Sequence, residues 1–154
     1  MSVSTRIPAR RAGAVFLLAS ALLLSGPLAD HPAEAATTEQ KTVRRLINRE
    51  RADRGKRALR FKSSLNKIAT RHSKRMAASG SLYHNSRLSY ECRYMNWSIL
   101  GENVGVGSSV QSIHRAFMGS TPHRKNILRG KYRKVGVGIA RGGGRVWLTV
   151  VFLG

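Results

Sequence analysis

Two histidines and one glutamate lie far apart in this sequence, each close to a residue that shapes the backbone. His84 stands in Leu82-Tyr83-His84-Asn85 and Glu102 in Gly101-Glu102-Asn103-Val104. His123 stands in Ser120-Thr121-Pro122-His123-Arg124-Lys125-Asn126-Ile127-Leu128. Imidazoles and carboxylates are the groups that ligate a divalent metal or move a proton near neutral pH. The imidazoles would ligate as neutral rings, while Glu102 would orient one of them or act as a base toward a bound water. The plainer alternative is a pair of hydrogen-bonded structural histidines, with Glu102 satisfying turn amides near Gly101, Gly105 and Gly107. Only tertiary structure can decide between these, because the three segments are widely separated.

Other chemical patterns are weaker. No Walker A, Gly-x-Gly-x-x-Gly or His-Glu-x-x-His pattern occurs, so nucleotide-binding and zincin readings have no local support. Ser120, His123 and Glu102 are the residue types of a serine triad. No Gly-x-Ser-x-Gly elbow surrounds Ser120, however, which reads instead as a residue flanking a helix cap at Thr121. His72 and His114 fall within apolar helical patterns and read as packing or satisfied polar positions. Glu91 lies between His84 and Glu102 in sequence, within reach of a shared cleft but in no motif. Asn96-Trp97-Ser98 is formally a glycosylation sequon.

The elements that must position these residues follow from periodicity. Thr37-Thr38-Glu39-Gln40 has the form of a capping box. It predicts a first helix with Val43, Leu46, Ile47 and Glu50 at spacings of three and four, ended by Gly55. Leu59 and Phe61 alternate with basic residues in a short extended link. A second helix is expected from Ser63 or Ser64, with Leu65, Ile68, Ala69, His72 and Met76 on one face and Gly80 as terminator. From Ser81 to Gly107 the periodicity is lost, so an irregular segment is expected to hold His84, with Glu102 and Asn103 in a glycine-rich turn. Ser108 or Ser109 caps a third helix, Val110 to Met118. Thr121-Pro122 supplies cap and N1 proline for a short fourth. Val135, Val137 and Ile139, then Arg145 to Phe152, predict two strands joined by Arg141-Gly142-Gly143-Gly144. Helix, helix, irregular segment, helix, strand, strand describes an α/β layered domain.

The beginning of the sequence reads as an export signal over residues 1–35. Arg6, Arg10 and Arg11 precede an uncharged apolar run from Ala12 to Leu24, and Ala33-Glu34-Ala35 has the A-x-A cleavage form. The run is shorter than the roughly 20 residues of a membrane span, so the mature domain, residues 36–154, is expected to be secreted and not membrane-spanning. Its single cysteine, Cys92, forms no internal disulfide and reads as a small buried hydrophobe. The 28 Lys and Arg against 7 Asp and Glu give the chain a charge of +21. Such a charge favours polyanions, which outside a cell are anionic wall polymers, lipid headgroups or extracellular DNA. Nucleic acid is disfavoured as a specific partner, because aromatic residues make up only 6% of the chain and base stacking uses them.

The segments around His84, Glu102 and His123, in this order and at these intervals, resemble the CAP superfamily, also called SCP-like or PR-1-like proteins. The likeness extends from Leu46-Ile47-Asn48 to Val150-Val151-Phe152. Its most specific parts are Gly101-Glu102-Asn103 and the run Pro122 to Leu128, which resembles the bacterial branch. This resemblance implies a CAP-type α-β-α sandwich with a small antiparallel sheet between helical layers. It places His84, Glu102, Ser120 and His123 in a cleft, with His84 and His123 matching histidines that bind Zn or another divalent metal in several members. The larger family pattern has a second glutamate where this chain has Ser120, which leaves Glu102 as the one candidate catalytic carboxylate. Three functions follow as expectations. The first is a secreted ligand-binding or interaction module with an unidentified cleft ligand, sterols and fatty acids being known classes in the family. The others are a metal-dependent hydrolase using His84, His123 and Glu102, and a basic adhesin for anionic wall polymer or lipid.

Overall fold

A computed structural model describes the backbone of residues 32–154 and the side chains from Thr37 onward. Residues 1–31 of the expected leader lie outside the described residues. The helices are α1 (Pro32–Ala52), α2 (Ser63–Ser79), α3 (Leu88–Glu91), α4 (Val110–Gly119) and α5 (Thr121–Leu128). The strands are β1 (Arg60–Phe61), β2 (Leu100–Gly107), β3 (Lys134–Gly142) and β4 (Arg145–Leu153). They form one sheet in the order β1-β3-β4-β2. β2, β4 and β3 are antiparallel, and the two-residue β1 joins β3 in parallel.

Strand alternation divides the core into two layers. Val135, Val137 and Ile139 of β3 and Val146, Leu148, Val150 and Phe152 of β4 face α1, α4 and α5, where they meet Val43, Ile47, Ile113, Phe117 and Ile127. On the other face Val151 and Leu153 pack on Leu65, Ile68 and Ala69 of α2, and Trp147 and Val104 pack on Met76. Helices therefore cover both faces, giving the α-β-α sandwich. The alternating glycines of β3 explain how closely α2 lies on the sheet. A Cβ on Gly136 would fall 2.3 Å from the Leu65 carbonyl carbon, and one on Gly138 would fall 2.0 Å from that of Ala69.

Arg51 closes the end of α1. It is fully buried and donates to the carbonyls of Arg57, Ile127 and Arg129 at 2.7–3.0 Å, tying α1 to the end of α5. Burial and the charge of Arg133 pull its pKa down from the ordinary arginine value. The guanidinium fork satisfies three carbonyls that have no helical partner.

Several expected boundaries move. α1 begins at Pro32 and not at a Thr37 cap, because Ala33, Ala35 and Ala36 extend the helix backwards. The Gln40 side chain accepts from Asn66 and approaches Thr70 on α2. Ser109 caps α4 as expected and forms a reciprocal box with Ser112. α5 is capped one residue early, at Ser120, so that Thr121 is already helical. The hairpin turn narrows to Gly143-Gly144, both with positive φ (58° and 69°), as a two-residue I′ turn requires. The largest correction falls between Ser81 and Gly107. Residues Leu100–Gly107 form a regular strand, so Glu102 and Asn103 lie on β2 and not in a turn.

Candidate functional site

β2 is the edge strand next to β4, and its alternation sends adjacent side chains to opposite faces of the sheet. Glu102 shares the α2 face with Val104. Its Oε1 accepts from the His84 ring at Nδ1 (2.7 Å) and from the Asn85 backbone N–H (2.9 Å). His84 lies in the segment that leads out of α2, and its side chain is 65% exposed while that of Glu102 is 6% exposed. A buried carboxylate thus holds a solvent-facing imidazole. The bond to Nδ1 directs Nε2 outward, the arrangement that orients metal-ligating histidines. Glu102 Oε2 is buried without a protein partner among the described residues.

Asn103 faces α5. Its Nδ2 donates to the His123 carbonyl at 3.0 Å, and its Oδ1 accepts from Asn126 Nδ2 at 3.0 Å. Asn126 Nδ2 also donates to the Glu102 carbonyl at 3.1 Å, so α5 is bonded along the free edge of β2. On α5 the His123 ring stacks on Phe117 at 4.9 Å between centroids, and its Nδ1 meets Ser120 Oγ at 2.8 Å. Burial, then the charge of His84, lowers the His123 pKa below the ordinary histidine value. Through Glu102 and Asn103 the two histidines flank the same edge of β2.

All four expected cleft residues therefore gather around one strand edge, but in two pairs. Glu102 serves His84 and Ser120 serves His123. The serine-triad arrangement does not form, because the carboxylate is bonded to the other imidazole. Both Nδ1 atoms are engaged and neither Nε2 has a hydrogen-bond partner among the described residues. Those two Nε2 atoms are the donors that suit a metal. Among the described residues no group of three or more His, Cys, Asp or Glu side chains converges as a fuller ligand set.

The remaining candidates resolve differently. His72 is buried, with Nε2 on the Tyr83 carbonyl at 2.8 Å, so it fixes the segment just before His84. His114 is buried with both ring nitrogens lacking a hydrogen bond, and its Nε2 lies 3.9 Å from Glu50. That residue is a packing position, the first of the two expected readings, and not a satisfied one. Glu91 turns to Arg71 and Arg75 at 3.5 Å and to the Asn85 side chain, which supports the site from behind. Cys92 is a free, buried thiol whose pKa is pushed up to about 11 by burial and then by Glu91, which makes it unreactive. Asn85 and Asn126 were not foreseen. Asn126 stands three residues after His123 in the same run, and that helical spacing was the available signal.

A profile of the CAP family (cysteine-rich secretory protein family) matches residues 44–152. The chain belongs to the CAP family. Another similar sequence is the uncharacterized protein YkwD of Bacillus subtilis (strain 168), 30% identical over 80% of this CAP chain and 49% of the relative. The chain thus spans about half the length of that curated relative. An extracellular protein containing an SCP domain from Bacillus anthracis str. Ames has the same fold. Its TM-score is 0.71 at 22% identity, covering 84% of this chain and 45% of that one. A cysteine-rich secretory protein from Staphylococcus aureus subsp. aureus Mu50 aligns with a TM-score of 0.68 at 22% identity, over 79% of this chain and 40% of that one. Among the described residues no helix of this CAP domain is long and apolar enough to cross a membrane.

Proposed function

We propose that this CAP domain is a binding module that works outside the cell, and that its cleft takes up ligand through His84 and His123 with a divalent metal such as Zn²⁺. The observation that carries the reading is the matched state of the two rings, with Nδ1 held and Nε2 without a partner in each. Glu102 accepts the Nδ1 proton of His84, which fixes the tautomer whose Nε2 lone pair faces out. Ser120 does the same for His123 when its hydroxyl accepts, and the Phe117 ring limits how far that imidazole can turn. A bound dication would supply a positive centre for an anionic or carbonyl oxygen of the ligand. With two protein nitrogens and water in the other positions, it would be held exchangeably. The partnerless Oε2 of Glu102 offers a buried acceptor for a ligand hydroxyl or amine.

Calorimetric titration of the purified chain with Zn²⁺ near pH 7.5 tests this. One ion per chain is expected, with affinity at least tenfold weaker in His84→Ala and in His123→Ala, and weaker for the parent as pH falls and protons compete. Glu102→Gln should weaken binding less than either histidine change, since it alters how a ligand is held and not the ligand itself. Binding that survives both histidine substitutions, or no binding at millimolar metal, would overturn the reading.

A further inference from the structure

The two edges of the sheet differ in chemistry. The β2 edge carries the two histidines, while at the opposite edge β1 and α1 flank an open groove of about 850 Å³. Asn48 builds it. Its side chain donates to the Leu59 carbonyl at 3.1 Å and accepts from the Leu59 N–H at 2.8 Å, pinning the approach to β1 against α1. Lys41, Arg44, Arg45 and Arg49 line the helical wall, and Arg60 and Phe61 line the other. Among the described residues no acidic side chain lines the groove.

Among the described residues none of these five cations has an ion-pair partner. Glu39 is taken by Arg141, Glu50 by Arg54, Glu91 by Arg71 and Arg75, and Glu102 by His84. The arrangement is also ordered. Lys41, Arg45 and Arg49 stand at i, i+4 and i+8, which spaces three exposed cations about 6 Å apart along one side of α1. Phe61 is 44% exposed on the facing wall, with the Arg44 guanidinium 5.7 Å from its ring centroid. Arg44 is thereby held inside the groove by its stem and ring contact.

We infer that this groove binds a linear polyol phosphate, a chain of phosphodiesters joined by short sugar alcohols, independently of the histidine cleft. A phosphodiester at each three-carbon interval places charges at a spacing similar to that of Lys41, Arg45 and Arg49. The intervening carbons can lie against Phe61. A bilayer surface fits less well, because among the described lining residues only one exposed apolar side chain, Phe61, accompanies the cations, Leu59 being buried. A nucleic acid would find no row of free aromatic faces for its bases, since the single ring is already approached by Arg44.

The test is fluorescence anisotropy of the purified chain with a labelled glycerol phosphate hexamer at 150 mM salt. The hexamer should bind at least a hundredfold more tightly than glycerol 3-phosphate. The triple variant Lys41→Glu, Arg45→Glu, Arg49→Glu should lose at least a hundredfold. The charge-matched triple Lys67→Glu, Lys74→Glu, Lys131→Glu, at exposed positions outside the groove, should lose less than tenfold. The neutral triple Lys41→Gln, Arg45→Gln, Arg49→Gln should reduce the slope of log affinity against log salt by about 2, three contacts at roughly 0.7 each. Phe61→Ala should weaken the hexamer more than the monomer. Circular dichroism melts identify any variant that fails to fold, and the neutral triple then decides. Equal losses in the two Glu triples would reduce the groove to diffuse charge and overturn the inference. So would equal affinity for monomer and hexamer, or tighter binding of phosphatidylglycerol vesicles or single-stranded DNA that falls in the groove variant. His84→Ala should leave hexamer binding unchanged, which separates this outcome from that of the metal titration.

Discussion

Glu102 and Asn103 are neighbours on β2 and hold His84 and His123 from opposite faces of the sheet. Glu102 fixes the His84 ring at 2.7 Å, and Asn103 fixes the backbone of His123 at 3.0 Å. A strand is the simplest element that can do this, because its side chains alternate at every residue. Shifting the register of β2 by one residue would exchange the two and dismantle both pairs. The antiparallel pairing with β4 over Leu100↔Leu153 to Gly107↔Val146 holds that register.

Asn103→Ala is therefore expected to destabilise the domain by about 1–3 kcal/mol, since it strips partners from the His123 carbonyl and the Asn126 amide. The loss should be larger than for an exposed asparagine such as Asn96, and chemical denaturation of both variants measures it. The substitution should also weaken Zn²⁺ binding through His123 while leaving the His84–Glu102 bond in place. A stability equal to the parent would show that α5 is held without Asn103.

The β3–β4 hairpin was legible in the sequence because β3 alternates apolar residues with glycines, β4 is a run rich in Val, Trp and Leu, and the glycine-rich stretch Arg141 to Gly144 joins them. β2 was not legible, for a physical reason. Gly101, Gly105 and Gly107 occupy one face, and Glu102 interrupts the apolar residues of the other, so the period-two pattern of Leu100, Val104 and Val106 is broken in the middle. Those glycines read as turn residues but are packing residues, as the close approach of Ile113, Phe117 and Tyr132 shows. The types and rough grouping of the cleft residues were readable from the motif segments. Which imidazole Glu102 serves depends on the face it points to, and that required the strand.

Gly105→Ala tests the packing explanation. Its Cβ would lie 2.6 Å from Ile113 Cγ2 and 2.9 Å from the Phe117 ring, so α4 must move. Overpacking of this kind costs about 1–3 kcal/mol. Displacing Phe117 also disturbs the ring on which His123 stacks. The melting temperature should fall, and the histidine ring proton shifts of His123 in NMR spectra should move more than those of His84. Gly119→Ala is the control, because nothing lies within 4 Å of the added atom there. Equal effects at both positions would reject packing as the reason for glycine at 105.

Acid sensitivity should trace to His114, buried on α4 against α1. Burial pushes its pKa below the ordinary histidine value, and Glu50 at 3.9 Å opposes that only in part. The unfolded chain, in which this histidine titrates near 6.5, then takes up a proton before the folded chain does. Stability must fall as pH drops below about 6.5, and the loss continues until the pH lies under the folded value. His114→Leu removes the titration together with two buried nitrogens that have no hydrogen bond. Its melting temperature at pH 7.5 should equal or exceed that of the parent, because an unsatisfied buried polar group is exchanged for an apolar one of similar bulk. Between pH 7.5 and 5 it should lose less than the parent, with a residual slope from His123, whose pKa is also lowered. Glu50→Gln should act in the opposite direction and steepen the loss, since the imidazolium would lose its one nearby carboxylate. Melting curves of the three proteins across this range, at constant salt, measure each slope. Parallel curves for the parent and His114→Leu would show that acid destabilisation comes from another group.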